Sequence, residues 1–144
     1  MFMYMVILDK PIKFLTKREL LSIPVLGPIL RRWCIPVDRG HYDRQALERA
    51  TAALRQGYVV SVFPEGTRHR ELAEQGHGGA VLMAARAGVP IVPGGITGSY
   101  HIFRGITVRI GAPMRFAGRL DRQERLASTA QLMQQIRSLM AGTG

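Results

Sequence analysis

The 144 residues carry 20 Lys and Arg against 10 Asp and Glu, a formal charge of +10, with 47% hydrophobic content. That is one domain's worth of chain, long enough to bury roughly two thirds of its unfolded surface, and its glycines and prolines punctuate apolar runs instead of forming a disordered tract. The charge favours an anionic partner, but the 7% aromatic content and the lack of a helix-turn-helix or zinc-finger pattern argue against nucleic acid.

Cys34 is the only cysteine, which excludes an intrachain disulfide and a Cys-based metal cluster and points to a reducing, cytosol-facing setting. Residues 1 to 8 are apolar, yet they lack the basic start and small-residue cleavage site of a signal peptide. With Ile12 to Leu15 they predict one or two strands. No cap or turn precedes this apolar start, so part of the domain is expected upstream. From Arg18 to Trp33, Leu26, Ile29, Leu30 and Trp33 recur at helical spacing, while Pro24, Gly27 and Pro28 forbid one continuous helix. A broken helical segment is expected. Its apolar face serves either core packing or contact with a membrane or acyl chain, the second favoured by Arg31 and Arg32 beside it.

Cys34 to Val37 reads as a short strand that ends in Asp38-Arg39-Gly40. Asp43 is placed to cap a helix whose stripe is Ala46, Leu47, Ala50, Ala53 and Leu54, with Gly57 as its stop. Tyr58 to Phe63 is the next strand, so a right-handed βαβ unit with parallel strands follows. His77 to Ala87 predicts a buried helix ending at Gly88. Val89 to Val92 predicts a strand that Pro90 and Pro93 demote to an edge, with Gly94 and Gly95 after it. Ile106 to Ile110 is expected to pair with Met114 to Phe116 across Gly111-Ala112-Pro113. The last helix starts at Asp121 with a capping box to Glu124 and holds Leu126, Ala130, Met133, Ile136 and Met140 on one face. The uncharged stretch Ala87 to Phe103 contains too many glycines and prolines for a transmembrane helix.

The chemistry concentrates where strands end. Val62-Phe63-Pro64-Glu65-Gly66-Thr67-Arg68 empties a core strand into two opposite charges, at the carboxyl edge where open α/β sheets place ligands. Glu65 and Arg68 form either a turn-closing ion pair or part of a ligand site, and Gly66 lets a ligand approach the backbone. Asp38-Arg39 repeats the arrangement, so parallel strands can bring Arg39 and Arg68 to one edge as phosphate-binding forks. His41, His69, His77 and His101 have no metal-ligand spacing, and no nucleophile elbow, Walker or dinucleotide glycine pattern occurs.

In their order along the chain these stretches resemble the glycerolipid acyltransferases, specifically the 1-acyl-glycerol-3-phosphate (lysophosphatidic acid) acyltransferase family. Ile35 to Gly40 resembles its second block, Val62 to Arg68 its third and Val89 to Pro93 its fourth, and Pro11 to Leu20 resembles the segment after its first. The likeness covers about residues 8 to 116. It implies an α/β domain with a mixed, largely parallel sheet flanked by helices, spanning 1–144 as a single acyltransferase domain. It implies that Arg39 and Arg68 hold phosphate, that Glu65, Gly66 and Thr67 shape the acceptor site, and that Asp38, Pro64, Pro90 and Pro93 support it. The reaction implied moves a fatty acyl group from acyl-CoA or acyl-carrier protein to lysophosphatidic acid, giving phosphatidic acid with no metal or bound cofactor. The setting implied is peripheral, on the cytoplasmic face of an anionic membrane. The family's first block, His-x4-Asp, supplies the general base. Nothing before Pro11 matches it, so this chain is expected to lack the N-terminal part of its domain and its catalytic histidine, and to transfer acyl groups poorly or not at all. A non-catalytic chain that binds lysophospholipid or anionic membrane is the alternative.

Overall fold

The computed structural model describes residues 11–24, 26–37, 43–63, 78–98, 105–116, 118 and 120–142. They fall into two compact units, 1–63 and 64–144.

The first unit is built on β1 (Ile12–Lys17), which runs parallel to both β2 (Cys34–Val37) and β3 (Val59–Ser61) in the order β2-β1-β3. Phe14 pairs with Cys34 on one side and with Ser61 on the other. Parallel strands need crossovers, and the two here differ. A 3-10 turn (Arg18–Ser22) and helix α1 (Leu26–Trp33) join β1 to β2, while α2 (Arg44–Arg55) joins β2 to β3 and packs against both. The expected break in the 18–33 segment is therefore present. Pro28 is tolerated inside α1 because it is the third helical residue, where no intrahelical acceptor exists for a backbone N–H. The parallel pairing of the βαβ unit also holds, but β2 and β3 are not neighbours: β1 lies between them. An edge position for β2 among the described strands explains how it accommodates Pro36, which has no N–H for a second partner.

Helix α2 starts and stops as its sequence dictates. Asp43 accepts a hydrogen bond from the Ala46 N–H at 2.9 Å, and Gly57 turns the chain out at φ 85°. Ala46, Leu47, Ala50 and Thr51 are buried, and the Thr51 hydroxyl is satisfied by the Leu47 carbonyl at 2.8 Å. Strand β3 is shorter than the Tyr58 to Phe63 run: Phe63 is 71% exposed, because only three residues find partners on β1.

The second unit holds α3 (Gly79–Ala87), the antiparallel pair β4 (Gly94–Gly98) and β5 (Ile106–Ile110), and α4 (Arg122–Ala141). Helix α3 ends at Gly88 in the left-handed conformation, as expected, and buries Ala80, Val81, Met83 and Ala84. Three expectations need correction. Val89 to Val92 is not a strand; only Ile91 pairs, in an isolated bridge to Met114, and the strand proper begins at the glycines after it. Accordingly β5 pairs with β4 and not with Met114 to Phe116. Between the Ile91–Met114 and Gly94–Ile110 pairs lie Val92 and Pro93 on one strand but Gly111, Ala112 and Pro113 on the other. This is a β-bulge that absorbs an extra residue and bends the ribbon.

The third correction concerns α4. Its capping box is present, with Asp121 and Glu124 exchanging bonds at 2.8 Å. The buried face, however, is Thr129, Leu132, Met133, Ile136 and Leu139, while Leu126 and Met140 are 60% and 42% exposed. What rotates the helix is the glycine strand beneath it. A Cβ on Gly95 would stand 2.9 Å from the Leu139 Cβ and 3.0 Å from the Met140 nitrogen, so the helix rests directly on strand backbone. The α/β class is thus present as a parallel three-stranded sheet with flanking helices, accompanied by an antiparallel pair.

Candidate functional site

The three-stranded sheet fixes where the charged loops leave it. All strands run the same way, so β2 and β3 both present their carboxyl ends at one edge, on either side of β1. Two interstrand steps separate them, about 10 Å in all. Val37, the last residue of β2, is level with Lys17, the last of β1. In open α/β sheets this edge, where crossovers run to opposite sides of a central strand, forms a ligand crevice. Asp38 and Arg39 follow β2 directly, and Pro64, Glu65, Gly66, Thr67 and Arg68 follow Phe63; these seven lie outside the described residues. So do His41, His69, His77 and His101.

Pro90 and Pro93 are described, and they differ. Pro90 is exposed, whereas Pro93 is buried and its carbonyl accepts from the Gly111 N–H at 2.9 Å. The Pro93 ring lies against Gly111, where an added Cβ would be 3.0 Å from its Cγ. Pro93 therefore closes the bulged end of the β4–β5 ribbon by direct packing.

Within the same sheet, one side chain does more than the sequence pattern indicates. Lys13, on β1, donates from Nζ to the Arg32 carbonyl at 2.7 Å and stands 5.1 Å from the centroid of the Tyr58 ring. It satisfies a carbonyl in the last turn of α1, where the helix dipole favours a cation, and its ammonium gains from the ring face. Lys13 thereby ties α1 to the residue that opens β3. The readable signal was a lysine between the apolar residues Ile12 and Phe14. Cys34 is buried next to it, and burial pushes its thiol above the ordinary 9.0, against a smaller lowering by Lys13. A buried thiol held protonated at neutral pH is a packing group, not a nucleophile.

Among the described residues, no group of three or more His, Cys, Asp and Glu is arranged to hold a metal ion, and no helix is long and apolar enough to cross a membrane.

Comparison with known proteins gives this sheet edge a context. The family model described as Acyltransferase matches residues 1–97. A Bacillus subtilis protein named 1-acyl-sn-glycerol-3-phosphate acyltransferase is 31% identical over 142 residues, covering 92% of this chain and 71% of that protein. A Mycoplasma pneumoniae protein named as a probable enzyme of the same kind is 38% identical over 93 residues, 62% of this chain but 35% of its own length. A chloroplastic relative from Arabidopsis thaliana with that enzyme name is 33% identical over 90 residues and is covered over 25% of its length. No solved structure gives a significant match. The family match runs from the first strand through both loops that leave the shared sheet edge and on to the Pro90–Pro93 segment, and with the near full-length Bacillus alignment it places the chain in the acyltransferase family.

Proposed function

We propose that the chain acts in glycerolipid synthesis on 1-acyl-glycerol-3-phosphate, moving a fatty acyl group from acyl-CoA or acyl-carrier protein to the free glycerol hydroxyl and giving phosphatidic acid. The observation that carries this reading is the 31% identity over 92% of the chain to the Bacillus protein of that name. In the reaction the acceptor oxygen attacks the thioester carbonyl, a C–O bond forms, the C–S bond breaks, and the carrier thiol leaves with the proton. Arg39 and Arg68 are the phosphate ligands of the proposal: a guanidinium fork matches two phosphate oxygens, and side chains leaving one edge on either side of β1 can converge on one head group. Glu65, Gly66 and Thr67 shape the space for glycerol; Asp38, Pro64, Pro90 and Pro93 support these loops. Direct transfer needs no metal or bound cofactor. The charge of +10 suits the anionic acceptor and peripheral attachment to the cytoplasmic face of an anionic membrane.

One sequence feature favours a second reading, in which the chain binds lysophospholipid or anionic membrane without transferring acyl groups. Its 144 residues contain no His-x4-Asp pair to serve as general base. The two readings part in a single set of measurements on the purified chain: calorimetric binding of short-chain lysophosphatidate and radiolabelled acyl transfer to it. Transfer supports the enzyme; binding without transfer supports the second reading. For both, Arg68→Ala weakens lysophosphatidate binding by about tenfold or more, the loss of a charge-assisted pair. Unchanged affinity in that variant removes Arg68 from the site.

A further inference from the structure

The surface formed by the 3-10 turn and α1 carries none of the residues proposed to hold the acceptor, and its composition is unusual. Ile23, Pro24, Pro28, Arg31 and Arg32 are all exposed, Ile23 at 41%. On a helix, residues three and four apart are neighbours, so Arg31 and Arg32 flank the Pro28 ring from the next turn. The corner beneath them is tightly built. The Gly27 N–H donates to the Ile23 carbonyl at 2.7 Å, and a Cβ on Gly27 would overlap the Leu21 carbonyl oxygen. Lys13 fastens the other end through the Arg32 carbonyl, while the Arg32 side chain itself stays exposed. From Pro11 to Val37 the sequence holds five basic residues, Lys13, Lys17, Arg18, Arg31 and Arg32, and one acidic residue, Glu19, a balance of +4.

We propose that this corner is the surface by which the chain docks on an anionic lipid bilayer, with Ile23, Pro24 and Pro28 entering the interfacial layer and Arg31 and Arg32 engaging lipid phosphates. Charge complementarity selects an anionic partner, and the aliphatic side chains between the cations select a bilayer. A phosphodiester chain would leave Ile23 and the proline rings in water, and no exposed aromatic side chain stands among them for bases to stack on. The docking surface rests on the glycerolipid reading only in placing the chain at a membrane. It adds an attachment surface made of residues other than those proposed to hold the acceptor, held against the same sheet.

The test is co-sedimentation with vesicles of phosphatidylcholine alone and of phosphatidylcholine with phosphatidylglycerol, set beside calorimetric binding of monomeric short-chain lysophosphatidate. The parent chain binds the phosphatidylglycerol vesicles preferentially and releases them as salt rises. The double variant Arg31→Gln and Arg32→Gln binds them about 30-fold more weakly, near fivefold per lost cation. Arg31→Lys with Arg32→Lys retains binding, and Ile23→Asp reduces it. All of these variants bind lysophosphatidate as the parent does. Equal vesicle binding by the Gln variant and the parent overturns the docking surface, as does a parent with no preference for the anionic vesicles. Failure of the parent to bind lysophosphatidate while vesicle binding responds to Arg31 and Arg32 overturns the acceptor reading and leaves the docking surface standing.

Discussion

Strands β1 and β4 hold their surroundings in opposite ways. Strand β1 contributes side chains: Ile12 is 2% exposed, Phe14 is level with Cys34 and Ser61, and the strand has parallel neighbours on both sides. Strand β4 contributes the absence of side chains. Three of its five residues are glycine, and Gly95 is buried because α4 lies on its backbone. The inward face of β4–β5 is completed by Arg109, whose Nη1 donates to the Leu139 carbonyl at 3.4 Å near the end of α4. One region is stabilised by volume that fills space, the other by space that admits a helix.

That contrast has opposite consequences for substitution. Ile12→Ala removes buried methyl groups from β1 and costs roughly 2 to 5 kcal/mol through lost transfer energy and the cavity left behind. Urea denaturation followed by fluorescence of Trp33, the single tryptophan and a residue of the same unit, reads the loss. A midpoint unmoved by this change contradicts the side-chain account of β1. In β4 the damaging change is an addition. Gly95→Ala places a methyl group at 2.9 Å from the Leu139 Cβ and 3.0 Å from backbone nitrogen, which costs about 1 to 3 kcal/mol as α4 shifts. Faster amide exchange in β4 and β5 is the expected signature, and unaltered exchange means that the helix does not rest on that strand. The smallest effect sharpens the same point from the far end of α4. Asp121→Ala breaks both bonds of the capping box and costs about 1 kcal/mol, visible as fraying of the first helical turn by NMR, with the Gly95 contact retained.

The difference between the strands also explains what was readable in the sequence. Where side chains do the packing, the pattern carries the information: Ile12 to Leu15, Cys34 to Val37, the Asp43 cap and the Asp121 box all stand where periodicity and capping chemistry put them. Gly94 and Gly95 were placed after the expected strand and not in one, since glycine ordinarily weakens a strand, yet the close approach of Leu139 makes glycine a requirement at Gly95. The pairing of Ile106–Ile110 departs from the expected one for a related reason. A short local hairpin to Met114 looked sufficient, whereas the true partner, β4, has almost no side-chain pattern to announce it. On α4, Leu126 and Met140 satisfied the helical period, but helix rotation is set by what the helix rests on. Asp38-Arg39 and Glu65 to Arg68 drew notice as chemistry but lie outside the described residues; the structure shows that parallel pairing turns the carboxyl ends of the strands preceding them to one sheet edge. The insertion of β1 between β2 and β3 was not legible, since nothing in a strand's own residues names its neighbours.

The central place of β1 bears on how the sheet is assembled. Among the described strands β2 and β3 pair only with β1, so the crossover through α2 does not join two neighbouring strands. Each strand becomes useful only on contact with a segment made well before it: Cys34 must find Phe14, and then Val59 must find Ile12 across nearly the whole unit. Such non-local parallel pairing is slow, because loop-closure entropy is lost before the contact returns any stability. Until residues near Ser61 have left the ribosome, the edge of β1 that β3 covers lacks that partner, which exposes the chain to pairing with other strands in the interval before β3 docks.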